Sequence, residues 1–372
     1  MPTLPIGSRS PANHEGLSGM GLNQLQQTFW PIERAKPPAA IASTAIAPAK
    51  PTEVFDTYWQ FAAERQAIFF RRYLGNSYPW SDDEILQTYK FTNAYRASDR
   101  VSQYLIRNVI YHGPQTTEEI FFRTILFKLF NKIETWKLLT HELGHLSYKF
   151  YCFKEYDRVL THAMKIKKTI YSAAYIMPSG SRKNGSTKKH RSHLRLLERM
   201  MEDGVPGRIA TAASMQDAFR ILVSYPMIGD FLAYQYITDL NYSGICDFTE
   251  MEFVVPGPGA IDGISKCFTS LGGLTETEII KLVTQRQTEE FDRLGLEFQS
   301  LWGRPLQLID CQNLFCEISK YARVRHPNVR GVANRTRIKQ KYKPNLDSLS
   351  LWYPPKWGIN DCIAIEFHEQ KG

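Results

Sequence analysis

From Thr52 to Tyr151 apolar residues recur at helical spacing, and the two-residue alternation of a half-buried strand is nearly absent. That pattern confines the chain to a mainly α fold. Phe55–Tyr73 places Tyr58, Phe61, Arg65, Ile68 and Phe69 at helical spacing, and Gly75-Asn76, then Pro79, ends it. Ser81-Asp82-Asp83-Glu84 reads as a capping box opening a helix through Ile85–Tyr89. Thr92–Tyr111 reads as a second long helix, stopped by Gly113-Pro114, and Glu118–Phe130 and Trp136–Tyr151 follow. Farther on come Leu194–Met201, Ser214–Ser224, Ile228–Asp239 and Glu276–Leu294.

A chain of 372 residues is long enough for two or three domains. The expected layout is a Pro/Ala-rich disordered tail over 1–50, a helical lobe over 51–176 and a basic loop over 177–193. A second lobe over 194–335 and a basic, aromatic tail over 336–372 complete it. The net charge of +9 suits a polyanionic partner. The six cysteines form no CxxC pair and no secreted-type framework, so reduced thiols and an intracellular setting are expected. That setting is bacterial or phage cytoplasm, or a eukaryotic nucleus. No apolar run approaches the roughly 18 residues a membrane helix needs, so no membrane partner is expected.

The stretch Leu306–Val324 carries the densest pattern. An apolar lead-in reaches Asp310, whose carboxylate has the chemistry of an N-cap, and Leu314, Ile318, Tyr321 and Ala322 then form a buried stripe. Beside it lie Asp310, Asn313, Glu317 and Lys320, one polar line on the same helix. Upstream, Asn93, Arg96 and Arg100 share helical spacing; Asn can pair with a base edge and Arg can grip a phosphate. Asp99 can hold either arginine in place, and Glu64 and Arg65 can complete such a network. A buried salt-bridge network would show the same residues. Trp59, Trp80 and Tyr95 read as core.

Three nominal motifs compete. His141-Glu142-Leu143-Gly144-His145 has the HExxH spacing that sets two imidazoles one helical turn apart beside a general base. The extended zinc motif would need Gly and His where this chain has Tyr148 and Tyr151, and no strand pattern accompanies it, so no metal is expected. Gly180–Thr187 has the two glycines of a P-loop but no lysine directly after Gly185, which excludes a nucleotide site of that type. Phe253–Ile264 holds Pro256-Gly257-Pro258-Gly259 before an apolar helical run. Gly257 and Gly259 would let the backbone turn tightly and present amides to a phosphate. Basic residues Arg182, Lys183, Lys188, Lys189 and Arg191 in one loop, and Arg330, Arg335, Arg337, Lys339, Lys341 and Lys343 near the end, would add backbone contacts to DNA.

The Pro256–Ile264 phrase resembles the hairpin of a helix-hairpin-helix element in DNA-glycosylase-like proteins, where it precedes a catalytic aspartate opening another helix; Asp310 holds that place here. The lysine that many backbone-cleaving members carry just after the hairpin is replaced by Ile261, with Lys266 farther on. A more specific resemblance covers roughly Thr52 to Lys343. Trp59, Phe61, Glu64-Arg65, Arg71, Pro79-Trp80, Asp83, Phe91-Thr92-Asn93, Arg96, Asp99-Arg100 and Asn108 are similar to the helical domain beside phage 5-hydroxymethyldeoxyuridine DNA kinases. That domain is grouped with the alpha-glutamyl/putrescinyl thymine pyrophosphorylases.

The resemblance implies an all-α, two-lobed fold and a DNA partner with a modified thymine. It implies that an amine or amino-acid nucleophile replaces the phosphate or pyrophosphate of a phosphorylated hydroxymethyl group, with no bound cofactor. Asp310 would be the general base, helped by Asn313, Glu317 and Lys320, and Arg96 and Arg100 would bind the leaving phosphate. An N-glycosylase using the same aspartate, a non-catalytic reader of modified DNA and an HExxH zinc hydrolase are the alternatives.

Overall fold

The computed structural model describes residues 48–175, 177–179 and 188–363. Most of the predicted 1–50 tail, Arg182 and Lys183, the Gly180–Thr187 stretch and the last nine residues lie outside them. The described chain is mainly helical, with very little strand. Its helices are α1 Glu53–Tyr73, α2 Glu84–Thr88, α3 Arg100–Leu105, α4 Thr117–Phe130, α5 Ile133–Leu143, α6 Phe153–Lys165 and α7 Lys189–Glu202. There follow α8 Val205–Ala210, α9 Met215–Val223, α10 Asp230–Leu240, α11 Pro258–Cys267, α12 Glu276–Gln285, α13 Gln287–Arg293 and α14 Leu308–Arg325. One two-stranded antiparallel ribbon pairs β1 Lys50–Pro51 with β2 Phe268–Ser270. No helix among the described residues is long and apolar enough to cross a membrane.

Several boundaries follow from local chemistry. Thr52, Thr116, Ser214 and Thr275 cap α1, α4, α9 and α12 through side-chain oxygens. α1 stops where Gly75 takes φ 77°, and α5 stops at Gly144, φ 75°, eight residues short of the expected Tyr151. The box expected at Ser81 sits two residues later. Asp83 is the cap, accepting from Ile85 N and Leu86 N, while Ser81 Oγ donates to Glu64. The single helix expected over Glu276–Leu294 is broken at Arg286 into α12 and α13.

α14 is the axis of the core. α1 packs on it through Tyr58 against Phe315 (ring centroids 4.6 Å apart) and Phe61 against Tyr321 (5.3 Å). α11 lies closest to it, and here the glycines explain themselves. Neither Gly257 nor Gly259 has positive φ, and Gly257 is the N-cap of α11, with no side chain capping the first-turn amides. A Cβ on Gly257 would lie 2.6 Å from the Phe231 ring, one on Gly259 2.9 Å from Cys316 Sγ, and one on Gly263 1.9 Å from the Phe315 carbonyl oxygen. The three glycines serve close helix-to-helix approach. Gly263→Ala is therefore expected to force α11 off α14 and to cost at least about 1–3 kcal/mol, read by chemical denaturation. An unchanged midpoint would show that the interface can yield.

Candidate functional site

The segment Thr92–Asp99, expected as the start of a long helix, is irregular, with one 3-10 turn over Arg96–Ser98. Its amides are taken by carboxylates instead of by helical carbonyls. Glu317 Oε2 accepts from Thr92 N at 3.1 Å, Asp99 Oδ1 from Asn93 N at 2.9 Å and Asp310 Oδ1 from Arg96 N at 2.7 Å. Arg65 closes the other side, donating from Nε to the Thr92 carbonyl (2.9 Å) and from a terminal nitrogen to Asn93 Oδ1 (3.0 Å). Asn93 Nδ2 donates to the Ser98 carbonyl. Helix resumes only at Arg100, and then widens into a π turn over Ile106–Ile110.

Asp310 is not the N-cap. Gln307 is, and Asp310 stands at the third helical position with Oδ2 accepting from Gln307 N at 3.0 Å. Asp310 thus spends one oxygen on its own helix and the other on the Arg96 amide, and it is 4% exposed. Burial, partly offset by those two amides, raises its carboxyl from the usual range to about 7. Asp99 is also raised to about 7, by burial first, with the Asn93 amide opposing and the Glu317 charge adding. Asp99 keeps partial exposure. Of the two residues Asp99 is the less buried, although burial is also the largest cause of its raised carboxyl.

Of the predicted residues, Arg65, Asn93, Asp99, Asp310 and Glu317 converge on this segment. Lys320 joins through Glu317 at 2.6 Å, and half-buried Asn313 lies one turn before Glu317 on α14. Glu64 faces elsewhere, accepting from Arg71 at 3.0 Å and Ser81 at 2.6 Å. Arg96 does not turn to a phosphate site. It is 3% exposed and spent inside, donating to Asp239 Oδ1 (2.7 Å), the Tyr242 hydroxyl (3.1 Å) and Gln235 Oε1 (3.1 Å). Lys128 Nζ lies 3.0 Å from the other oxygen of Asp239. Arg100 is exposed, 3.9 Å from Glu134, and does not share a face with Arg96, because the chain between them is not helical.

Lys128 and Asp239 escaped the sequence reading. The available signal was a lysine inside the apolar run Ile120–Phe130, which a folded helix can tolerate only with a partner.

The other candidates are dispersed. Arg191 is held by Asp157 through two bonds of 2.8 and 2.7 Å, Lys188 Nζ donates to Thr161, and Lys189 Nζ sits 4.6 Å from the Tyr171 ring centre. Each has a partner while staying partly exposed, and Lys183 lies outside the described residues. His145 falls past the end of α5 against Gly113, so the two HExxH imidazoles are not on one helix face. Among the described residues no three His, Cys, Asp or Glu gather as a metal ion would need.

The family model of the 5-hmdU DNA kinase helical domain matches residues 52–331. The chain belongs to this family. The match spans every residue that stitches the Thr92–Asp99 segment, from Arg65 to Lys320, so that segment lies inside the 5-hmdU DNA kinase helical domain. A 5-hmdU DNA kinase of Bacillus phage SP10 is 26% identical over 341 residues, covering 86% of this chain and 53% of the relative. The chain thus spans about half the length of the curated relative it matches. No solved structure matches it.

Proposed function

We propose that this chain acts on a 5-substituted pyrimidine in DNA, the phosphorylated form of 5-hydroxymethyluracil, and joins an amine to the exocyclic carbon. The family and the substrate named for the phage relative support the base. The observation that carries the chemistry is Asp99, a half-buried residue whose carboxyl is raised by burial to about 7, beside the Arg65 guanidinium bound to the same Asn93. In the step proposed, the C–O bond to the phosphate leaving group breaks, a C–N bond forms, and the nitrogen's proton passes to the Asp99 carboxylate. A carboxyl titrating near neutrality is matched to that transfer. Arg65 faces the departing phosphate. Asp310, Glu317 and Lys320 hold the segment and set its charge, and Asn313 borders it. The base leaves the stack to reach them. Kinase chemistry is not proposed, because the Gly180–Thr187 stretch lacks the P-loop lysine.

The test is incubation with DNA containing 5-hydroxymethyluracil, or its phosphate monoester, with an amino acid or polyamine, then digestion and nucleoside mass spectrometry. An aminated nucleoside is expected from the phosphate monoester, and the unphosphorylated base should stay unchanged. Free base released from the sugar would establish the N-glycosylase instead, and unchanged nucleosides with retained DNA binding would establish a non-catalytic reader.

A further inference from the structure

Beyond α14 the chain crosses back over the body without helix or turn from Arg335 to Leu346. It is pinned by its backbone. Ala333 N donates to Asp262, Val332 N to Ser265, Tyr342 N to the Thr88 carbonyl, and the Gln340 carbonyl accepts from Lys90 N. Arg323 donates to the Arg337 carbonyl, and Tyr89 and Lys341 form an antiparallel bridge. Ile338 and Tyr342 are half-buried. Arg335, Arg337, Lys339, Lys341 and Lys343 are all exposed, at every second position.

In extended chain, side chains two residues apart share a face and stand about 6.6 Å apart. That spacing is comparable with the distance between successive phosphates along one nucleic-acid strand. A strap held by its main chain, with exposed cations at every second position, is a linear array of positive charge.

The strap borders a cleft. Tyr342 and Tyr89 line it with Tyr78, Trp80, Phe91 and Arg65, and it opens to solvent. Tyr78 is 39% exposed, and Lys341 Nζ sits 4.2 Å from the Tyr89 ring centre, joining the charge row to the aromatic wall. Arg65 lines this cleft and also binds Asn93, so the cleft adjoins the carboxyl segment.

A linear row of anions would satisfy the strap alone. A flat ring would satisfy the cleft alone. The two together call for a polymer that carries both. We propose that the Arg335–Lys343 strap tracks the phosphates of one DNA strand and that the Tyr78–Trp80–Tyr342 cleft receives an unstacked base from it. The proposal rests on the reading of DNA as substrate and adds the surface that holds it.

The test uses the full chain and a fluorescein-labelled oligothymidylate, with anisotropy followed against salt. Each single-strand phosphate contact contributes about −0.7 to the slope of log K against log salt. Combined Arg337→Gln, Lys339→Gln and Lys341→Gln substitution should therefore flatten the slope by about 2. Tyr78→Ala should weaken binding roughly fivefold to a hundredfold, the range for one lost base stack. Two controls should leave binding unchanged: Lys165→Gln with Lys168→Gln, exposed cations elsewhere, and Phe150→Ala, an aromatic 71% exposed outside the cleft.

A parent that binds no DNA overturns the DNA reading and this proposal together. A parent that binds while the triple variant keeps its slope overturns the strap alone. Full binding by Tyr78→Ala overturns the cleft. Competition by polyglutamate as strong as by oligothymidylate would assign the strap to an acidic polypeptide and also overturn the proposal.

Discussion

Asp239→Ala is expected to cost about 3–5 kcal/mol, a large share of the stability of an ordinary domain. Arg96 and Lys128, each 3% exposed, both depend on this one carboxylate, which is itself 1% exposed. Removing it leaves two buried cations with no opposite charge in contact. Burial already lowers the Lys128 ammonium, with Asp239 resisting and Arg96 adding to the fall, so the lysine would shed its proton in the variant. Arg96 has no such escape. Its amide also holds Asp310, so the loss should spread to the carboxyl segment. Urea denaturation measures the cost. The double change Asp239→Ala with Lys128→Met should recover part of it, because one of the stranded charges is gone. A cost below about 1 kcal/mol would mean that water reaches this centre and that the network is not what holds the segment.

Asp99→Asn is expected to fold, to bind DNA and to lose turnover by roughly a hundred- to ten-thousand-fold. The amide oxygen can still accept from Asn93 N, so the local geometry survives, but no proton can be taken up. In the parent the rate should climb as pH rises through about 7, where Asp99 ionises, and the Asn variant should lose that limb.

Stability moves the other way. Asp99 and Asp310 both have folded values raised to about 7 from 3.8. Between these values the folded state holds protons that the unfolded state has released. Their contribution is thus fully present below about pH 4 and lost as pH rises through about 7. Asp99→Asn should gain stability relative to the parent on going from pH 5 to pH 8, by an amount on the order of a few kcal/mol. Full activity in Asp99→Asn would move the proton acceptor elsewhere, to Asp310 first. Asp310→Asn is a poorer probe, because both oxygens accept backbone amides and an amide nitrogen would face one of them. A folding loss of about 1–3 kcal/mol would accompany any loss of activity.

Much of the candidate site was visible before any coordinates. Arg65, Asn93, Asp99, Asp310, Glu317 and Lys320 were all singled out from the sequence, and the structure brings them to one segment. Their assumed geometry was not. Helical spacing placed Asn93, Arg96 and Arg100 on one face, yet that segment is not helical, because carboxylates from α14 and from Asp99 take its amides. A donor claimed from more than two hundred residues away leaves no trace in a local window.

The sequence by itself determined the mainly α class, most helix positions, and the ends set by Thr52, Gly75, Thr116, Ser214 and Thr275. These depend on groups within a turn of each boundary, so the information is local. Only the tertiary structure decided that Gly263 is a contact with Phe315, that Arg96 faces Asp239 instead of solvent, and that Tyr342, among the exposed Arg335–Lys343 cations, lines an aromatic cleft. Each of these depends on which surfaces meet, and burial then fixes what a charge or a missing side chain can do.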